Sequence, residues 1–585
     1  MLYIIPPSVA QNKCMKKSGF FQRLLNFDKP NTVFELLETE RGQPTGRKHE
    51  EKAILFADLD LKNAEEKPTP TPQAEQKFAP QAEQNPAQAE KASASANAKQ
   101  EASTSLQENI SRIKAQFHAD INSDFILREF LIGGRLPACA VLISGMADQG
   151  QVGELVIKPA QRETKVSARG VAPSDFVVAN VFALHEVECS AAWRTITKAV
   201  SEGRTAVFLE GDAIAVILDT RGFVSRGVSE AAGEVSVMGP KEAFTENIRT
   251  NITLLRRIIK TDDFICEFRE AGGQNKTSLV ICYRAGITSR ALLSELRARL
   301  ARIDTLEILA AGVIDQLIED HPLFPLPQVL ETERPDRAAN AIMKGKVVII
   351  CEGCPQVSVL PVTLSALFAS AEDTYMRQPL GSLIRFVRFF GVLFSILVPG
   401  YFLAIALHHP NILSNEILNT LITSRAMLFM PLWMEMLFLL LIFQLVREAG
   451  VRVPGSIGHA ISIIGGLVLG QAAVSANIVS TAVLVIVALT GLGNMAIPEF
   501  QTMAAASYFR LALCIVGALG GLFGMSCALT AMAGWLCSIK SFGVPFCAPF
   551  APHTYSRERA VLRGRMRSGK QTSDYLNTAG EGASA

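Results

Sequence analysis

The sequence predicts a multi-pass α-helical membrane domain preceded by a two-lobed soluble domain of mixed α and β structure. Residues before about Arg388 are charged and mixed in character, whereas the span from Phe389 to Ile539 is mostly apolar. Several apolar runs in that span are long enough to cross the ~30 Å of a bilayer's hydrocarbon core. The soluble part alternates helical patterns with β-branched strand patterns and hairpin turns, which is typical of mixed α and β lobes.

The 585 residues leave room for several domains, and the first of them carries little apolar sequence. Residues 1–62 form a mixed N-terminal extension whose first residues lack the basic and apolar regions of a signal peptide. Residues 63–105 consist mainly of Ala, Gln, Glu, Lys and Pro. Because this composition buries too little apolar surface to offset the entropy of ordering, we predict a disordered linker that ends at Ser105.

The first soluble lobe is predicted over residues 106–260. Leu106, Ile110, Ile113 and Phe117 recur at helical spacing. The other predicted elements are a strand at Ala138–Ile143, a helix at Ser190–Ser201, a hairpin of Thr205–Leu209 with Ala213–Asp219, and a helix at Glu242–Lys260.

The second lobe and its connector are predicted over residues 261–385. Its predicted elements are strands at Phe264–Phe268 and Ser278–Tyr283, helices at Thr288–Arg302 and Leu309–Ile318, and a hairpin of Val347–Ile350 with Val357–Leu360. That hairpin contains a lone C-x-x-C, Cys351 to Cys354. A zinc site would need a second ligand pair, and the sequence offers none, so a β-turn on Glu352 and Gly353 is the preferred interpretation.

The sequence contains no motif that indicates catalysis or cofactor binding. No Walker A motif, G-x-G-x-x-G, H-E-x-x-H or G-x-S-x-G occurs, and the eight histidines are dispersed. We therefore expect no catalytic, cofactor-binding or metal site. The dispersed cysteines do not form a disulfide pattern and suit a reducing compartment.

The membrane domain is predicted over residues 386–540, followed by a C-terminal tail over 541–585. It has five apolar runs, Phe389–Leu407, Met427–Val446, Ile457–Ser475, Ile478–Ile497 and Leu511–Leu536, with a charged hairpin at Arg447–Pro454 and an interfacial segment at Asn411–Ser424. Basic residues on the loops place the lobes in the cytoplasm, but five crossings would place the basic tail outside. We therefore favour a re-entrant last run over a spanning one, with the tail and the lobes on one side.

The tail from Arg557 to Lys570 is basic although the net charge of the whole chain is only +2. Such a tail suits nucleic acid in some proteins. Beside a membrane segment, however, it is better explained by contact with anionic lipid on the cytoplasmic face, so membrane lipid is expected as a partner and nucleic acid is not.

Three polar residues at membrane depth are the candidate ion-path or intramembrane polar residues. Glu435 is the only formal charge between Met427 and Val446; either it lines an ion path or it makes a structural hydrogen bond between helices. For the amides of Gln471 and Asn494, hydrogen bonding between helices is favoured, and His459 is expected at the interface. The spacings Gly466–Gly470 and Gly517–Gly521 suit close helix approach between subunits.

Many separate short segments of the chain resemble one family, the A subunits of GerA-type spore germinant receptors. The resemblance runs from about Asp124 to Pro552. Its words include Gly239–Glu246, Thr332–Arg337, Glu372-Asp373 with Tyr375, Arg447–Gly450, Gly470–Val474 and Ser541–Pro545. In two places the chain departs from the family pattern: Glu230-Ala231-Ala232 stands where the family has Glu-Pro, and Leu440 and Gln444 stand where acids are expected.

The resemblance implies a multi-pass protein of the spore inner membrane. Its function would be to sense nutrient germinants and trigger ion release, together with a transporter-like B subunit and a lipoprotein C subunit. The family's A subunits are expected to assemble into a homo-oligomeric ion channel. A sporulation-stage paralogue without its own nutrient sensing, or a component of a small-molecule transporter, is the alternative.

Overall fold

A computed structural model describes residues 101–162, 172–222, 231, 233–234, 236, 238–273, 276–303, 308–452, 466, 468, 470–552 and 576. The predictions for residues 1–100, for His459 and for the basic tail lie outside these residues. Of the predicted linker, residues 101–105 are described, and they are part of the first lobe. Ala102 is buried and its amide donates to the carbonyl of Ala191, so the folded part begins at least five residues before the predicted boundary.

The first lobe is a five-stranded antiparallel sheet with helices on both faces. Its strands are β1 (Phe125–Ile132), β2 (Leu136–Ile143), β3 (Val187–Ser190), β4 (Thr205–Leu209) and β5 (Ala215–Leu218), in the order β1-β2-β4-β5-β3. Its helices are α1 (Leu106–Gln116), α2 (Pro173–Asn180) and α3 (Trp193–Ser201), with a short helical segment at Gln149–Gln151, Val152–Ile157 and Lys158–Gln161. Successive residues of β2 enter opposite cores, as a period of two requires.

The second lobe has the same architecture. Its strands are β6 (Phe264–Ala271), β7 (Thr277–Arg284), β8 (Leu330–Thr332), β9 (Val347–Cys351) and β10 (Val357–Leu360), in the order β6-β7-β9-β10-β8. Its helices are α4 (Ile248–Ile258), α5 (Arg290–Ala301), α6 (Ala311–Ile318) and α7 (Pro335–Met343). The predicted helix at Glu242–Lys260 is wrong at its start, because Asn247 caps α4 by accepting from the amides of Arg249 and Thr250.

The two lobes are copies of one topology. The sequence patterns predict two lobes but do not predict this repeat. Each lobe has a leading helix, a hairpin, helices, an edge strand, a helix and a second hairpin, and the strand orders match position for position. The second hairpin of each lobe turns on a Glu-Gly pair, Glu210-Gly211 in one and Glu352-Gly353 in the other. The C-x-x-C therefore lies at a β-turn, as predicted.

A buried ion pair joins the lobes. Arg256 of α4 is 1% exposed and donates from Nε and Nη2 to the two carboxylate oxygens of Asp124, at 2.9 and 2.8 Å. Asn122 accepts from the amide of Cys266, on the first strand of the second lobe. These contacts fix the start of β1 against β6.

The apolar part forms a bundle of long helices. They are α8 (Gln378–His408), α9 (Asn415–Arg425), α10 (Leu432–Arg452), α11 (Thr481–Met495) and α12 (Phe500–Ser538), and residues 470–475 are also helical. Within the described residues, α8 and α12 are the two helices long and apolar enough to cross a membrane by length and composition, and α11 is a shorter apolar helix. The predicted hairpin at Arg447–Pro454 is wrong over its described part, because α10 continues through Arg452.

The last helix folds back on itself at Gly521. This residue has φ +58° and ψ −152°, a conformation that glycine adopts without a Cβ clash. In a straight helix Phe509 and Trp535 would be about 39 Å apart, yet their ring centroids are 6.3 Å apart. The apex contacts the far end of α8, where His408 bonds the carbonyl of Ala518 at 2.8 Å. Residues 500–520 and 522–538 are therefore the two arms of a helical hairpin, and both bases of the hairpin meet the second lobe.

The second lobe and the segment after it contact the bundle at two places, the start of α8 and the base of the returning arm of α12. Asp373, fully buried, pairs with Arg385 and Arg388 of α8 at 2.9 Å. The ring of Phe324 packs edge-on against Trp535 of the returning arm, at 4.9 Å. Beyond that arm, β11 (Lys540–Ser541) and β12 (Val544–Pro545) form a small hairpin on the second lobe, where the amide of Phe542 donates to Asp320.

Candidate functional site

A polar core lies inside the apolar bundle, and we take it as the candidate site. Arg510 of α12 is 3% exposed; it donates to Ser395 of α8 at 3.2 Å and to Ser507 at 3.1 Å. Arg447 of α10 reaches the same Ser507 at 3.4 Å, and Asn494 of α11 reaches it at 3.5 Å. Side chains of α10, α11 and α12 therefore meet at the Ser507 hydroxyl, and Arg510 connects this group to α8 through Ser395.

The charge of this core is unusual because Arg510 makes no ion pair within the described part of the chain. Residues 453–465, which follow α10, contain no Asp or Glu in the sequence. A buried cation of this kind is costly and needs hydrogen-bonding partners such as the serine hydroxyls. Arg510 directly precedes the predicted apolar run Leu511–Leu536, yet it lies inside α12, and only the packing of neighbouring helices reveals its burial.

Glu435 is fully buried within the chain, in the first turn of α10. Its Oε1 accepts from the amide and the hydroxyl of Ser480, the residue that caps α11. Arg425, at the end of α9, lies 3.4 Å from Oε2. A carboxylate at a helix N-terminus with an arginine beside it forms a structural connection between three helices. This position favours the structural alternative for Glu435.

The two amides that were predicted at membrane depth occupy different environments. Asn494 is buried and bonds Ser507 on the neighbouring helix. Gln471 is exposed on the surface of the bundle, and Ser475, one turn later, is exposed on the same face. Among the described residues no hydrogen bond links Gln471 to another helix, and the bond between helices expected for it stays a prediction.

The spacing Gly517–Gly521, predicted for contact between chains, brings helices of one chain together. A Cβ on Gly517 would overlap the carbonyl oxygen of Gly400, and one on Gly521 would lie 3.1 Å from His408. Gly466 has open space around it, and a Cβ on Gly470 would meet Leu484 at 3.3 Å. The expectation for Gly517–Gly521 is therefore wrong: these residues bring α8 and α12 together.

In the connector, three of the segments that carry the family resemblance are in contact, namely Gly239–Glu246, Thr332–Arg337 and Glu372-Asp373 with Tyr375. Arg334 makes a two-pronged pair with Asp336 and donates to the carbonyl of Pro240. The Tyr375 hydroxyl donates to Asp336 at 2.6 Å, and its ring fills the space beside Gly239. Burial and the bond to Asp336 raise the pKa of Tyr375 to about 12, which keeps this donor protonated. The connector thus links the first lobe's last loop to the start of α8.

The fold defines the class: a duplicated α/β module fastened to an apolar helical bundle with a charged interior. The chain belongs to the Bacillus/Clostridium GerA spore germination protein family, whose model matches residues 111–574.

Relatives of known name agree with this assignment. The chain is 33% identical to "Spore germination protein KA" of Bacillus subtilis (strain 168), over 77% of this chain and 82% of that protein. It is 28% identical to "Spore germination protein GerLA" of Bacillus cereus, over 81% of this chain and 96% of that protein. The crystal structure of the N-terminal domain of the A subunit of the Bacillus megaterium spore germinant receptor GerK3 matches with a TM-score of 0.36 and 27% identity. That match covers 45% of this chain and 96% of the crystallised one.

Proposed function

We propose that the chain is the A subunit of a spore germinant receptor, a multi-pass protein of the spore inner membrane. In this proposal it acts with a transporter-like B subunit and a lipoprotein C subunit, and it has no enzymatic activity. Several copies form a channel that releases ions when a nutrient is sensed. Membership of the family supports the receptor role, and the helical hairpin of α12 is the observation that supports the membrane topology.

The hairpin supports a topology in which the basic residues before and after the bundle lie on one side of the membrane. Its arms, residues 500–520 and 522–538, measure about 31 and 25 Å at 1.5 Å per residue. We propose that both arms cross the bilayer, so that five apolar runs make six crossings. The lobes and the residues after α12 then lie on the same, cytoplasmic side, as the positive-inside rule favours.

A map of accessible cysteines tests this topology. After Cys14 and the cysteines that are exposed among the described residues, Cys189, Cys527 and Cys537, are replaced by serine, we expect Arg302→Cys and Phe550→Cys to react from the cytoplasmic side only. Ile412→Cys, which follows α8 and is exposed, is expected to react from the opposite side only. A reaction of Phe550→Cys from the same side as Ile412→Cys would refute the six crossings.

We propose that the ion path lies between copies of the subunit. The polar core of one subunit is buried among the described helices, since Asn494 is 1% and Arg510 3% exposed. The exposed face that carries Gln471 and Ser475 has the polar groups that a path between subunits requires. Among the candidate residues we therefore assign the path to Gln471, whereas Glu435 and Asn494 hold helices together.

A matched pair of variants in spores tests this division. Gln471→Leu is expected to reduce nutrient-triggered cation release severalfold at normal protein abundance, because it removes an exposed polar group from the path. Glu435→Gln is expected to release cations almost normally, because an amide oxygen still accepts from Ser480, whereas Glu435→Leu lowers protein abundance. Release is measured as cation appearing in the medium. Normal release from Gln471→Leu, or lost release from abundant Glu435→Gln, would reverse the two roles.

A further inference from the structure

An acidic cavity lies at the junction between the second lobe and the bundle. Its volume is about 190 Å³, and α6, β8, the loop between them and the first turn of α12 line it. Asp315, Glu319 and Glu331 supply carboxyls, and Gln501 supplies an amide. Phe324 and Leu326 form an apolar wall.

Asp315 has an oxygen without a hydrogen-bond donor. The side chain is 6% exposed, and its Oδ2 accepts from the Ser358 hydroxyl at 2.9 Å. Its Oδ1 is buried and receives no hydrogen bond from the described residues. The carboxyl of Glu331 lines the same cavity and disfavours the charged form of Asp315. Two such carboxyls are stable together when a proton or a cation lies between them.

The cavity as it stands disfavours the charged forms of its carboxyls. Burial raises the pKa of Asp315 well above its usual range, and the neighbouring Glu331 and Glu319 add to this effect. Burial also raises the pKa of Glu331 and brings that of Glu319 to about 7. A bound cation would offset this loss of solvation.

We propose that this cavity binds a small organic cation through a primary ammonium group. An ammonium has three N–H donors, and the cavity presents the unpaired oxygen of Asp315, the Glu331 carboxyl and the Gln501 amide oxygen. The apolar wall fits a short hydrocarbon substituent. A bare metal ion fits less well, because no group of three His, Cys, Asp or Glu residues within the described ranges could hold one.

The position of the cavity gives such a ligand access to the bundle. Gln501 belongs to the first turn of α12, which Glu499 caps by accepting from the amides of Gln501 and Thr502. Phe324 on the opposite wall packs on Trp535, in the returning arm. The bound cation would therefore contact residues that support both bases of the α12 hairpin.

Titration calorimetry of the purified full-length chain in detergent tests the site, independently of any ion release. The probe is n-propylammonium, with 1-propanol as the neutral analogue and Ca²⁺ as the metal. At pH 8 we expect n-propylammonium to bind saturably, and we expect neither 1-propanol nor Ca²⁺ to bind. Asp315→Asn and Glu331→Gln should each weaken it roughly tenfold, as the loss of a charged hydrogen-bond acceptor does.

Glu352→Gln is the control, because Glu352 is an exposed residue in a turn of the same lobe, outside the cavity. It should bind n-propylammonium as the unaltered chain does. The proposal is overturned if n-propylammonium does not bind, if 1-propanol or Ca²⁺ binds as well as the amine, or if both cavity variants bind like the control. Should Asp315→Asn fail to fold, Glu331→Gln decides, since its side chain is only partly buried.

Discussion

Replacing Arg256 with methionine is expected to lower the free energy of unfolding of the lobes by about 3–5 kcal/mol, the usual cost of removing one partner from a buried ion pair. Methionine fills much of the volume but leaves the Asp124 carboxylate, only 4% exposed, without its cation. It also removes the guanidinium that lies 4.7 Å from the centre of the Phe264 ring. Urea unfolding of the full-length chain in detergent, followed by fluorescence of Trp193 in the first lobe, measures the loss.

The next residue along the helix provides the control. Arg257 pairs with Glu242 at 3.3 Å, and both side chains are more than a third exposed. An exposed pair contributes about 0–1 kcal/mol, so Arg257→Met should change the unfolding free energy by no more than that. Equal losses from the two substitutions would show that the Asp124–Arg256 pair does not hold the lobes together.

The strands and hairpins of the lobes could be predicted because their signals are local. The hairpin of β4 and β5, for example, is set by β-branched flanks around a Glu-Gly-Asp turn. The duplication of the lobes could not be read in the same way. The helices Trp193–Ser201 and Pro335–Met343 are equivalent in the two topologies yet share almost no letters. What repeats is the order of elements and the burial of their faces, which depends on contacts distant in sequence.

The candidate site was harder to predict because its contacts also join residues that are distant in the sequence. Hydropathy identifies apolar runs but does not show which helices meet. The contacts of Glu435 with Ser480, 45 residues away, and of Arg510 with Ser395, 115 residues away, appear only after folding. The charges of the loops favour a last run that returns to its starting side. Charge alone does not show which of the five glycines of that run makes the turn.

Replacing Gly517 with leucine is expected to prevent the apolar bundle from assembling. The two helices α8 and α12 pack through their backbones here, since even a Cβ on Gly517 would overlap the carbonyl oxygen of Gly400. A backbone carbonyl cannot rotate away as a side chain does, so the helices must separate along their contact. Overpacking a core costs about 1–3 kcal/mol where side chains can adjust, and we expect a larger loss here.

The neighbouring Gly520 separates this packing effect from the helix propensity of leucine. A Cβ on Gly520 meets no atom within 4 Å, and leucine is the better helix former by about 1 kcal/mol. Gly520→Leu should therefore leave the abundance of full-length protein in membranes unchanged or raise it, whereas Gly517→Leu should lower it severalfold, as a destabilisation of more than 1–2 kcal/mol does. Immunoblotting of membrane fractions measures both. Normal abundance of Gly517→Leu would mean that α8 and α12 are not in backbone contact at Gly400, and the turn at Gly521 would then lose its main support.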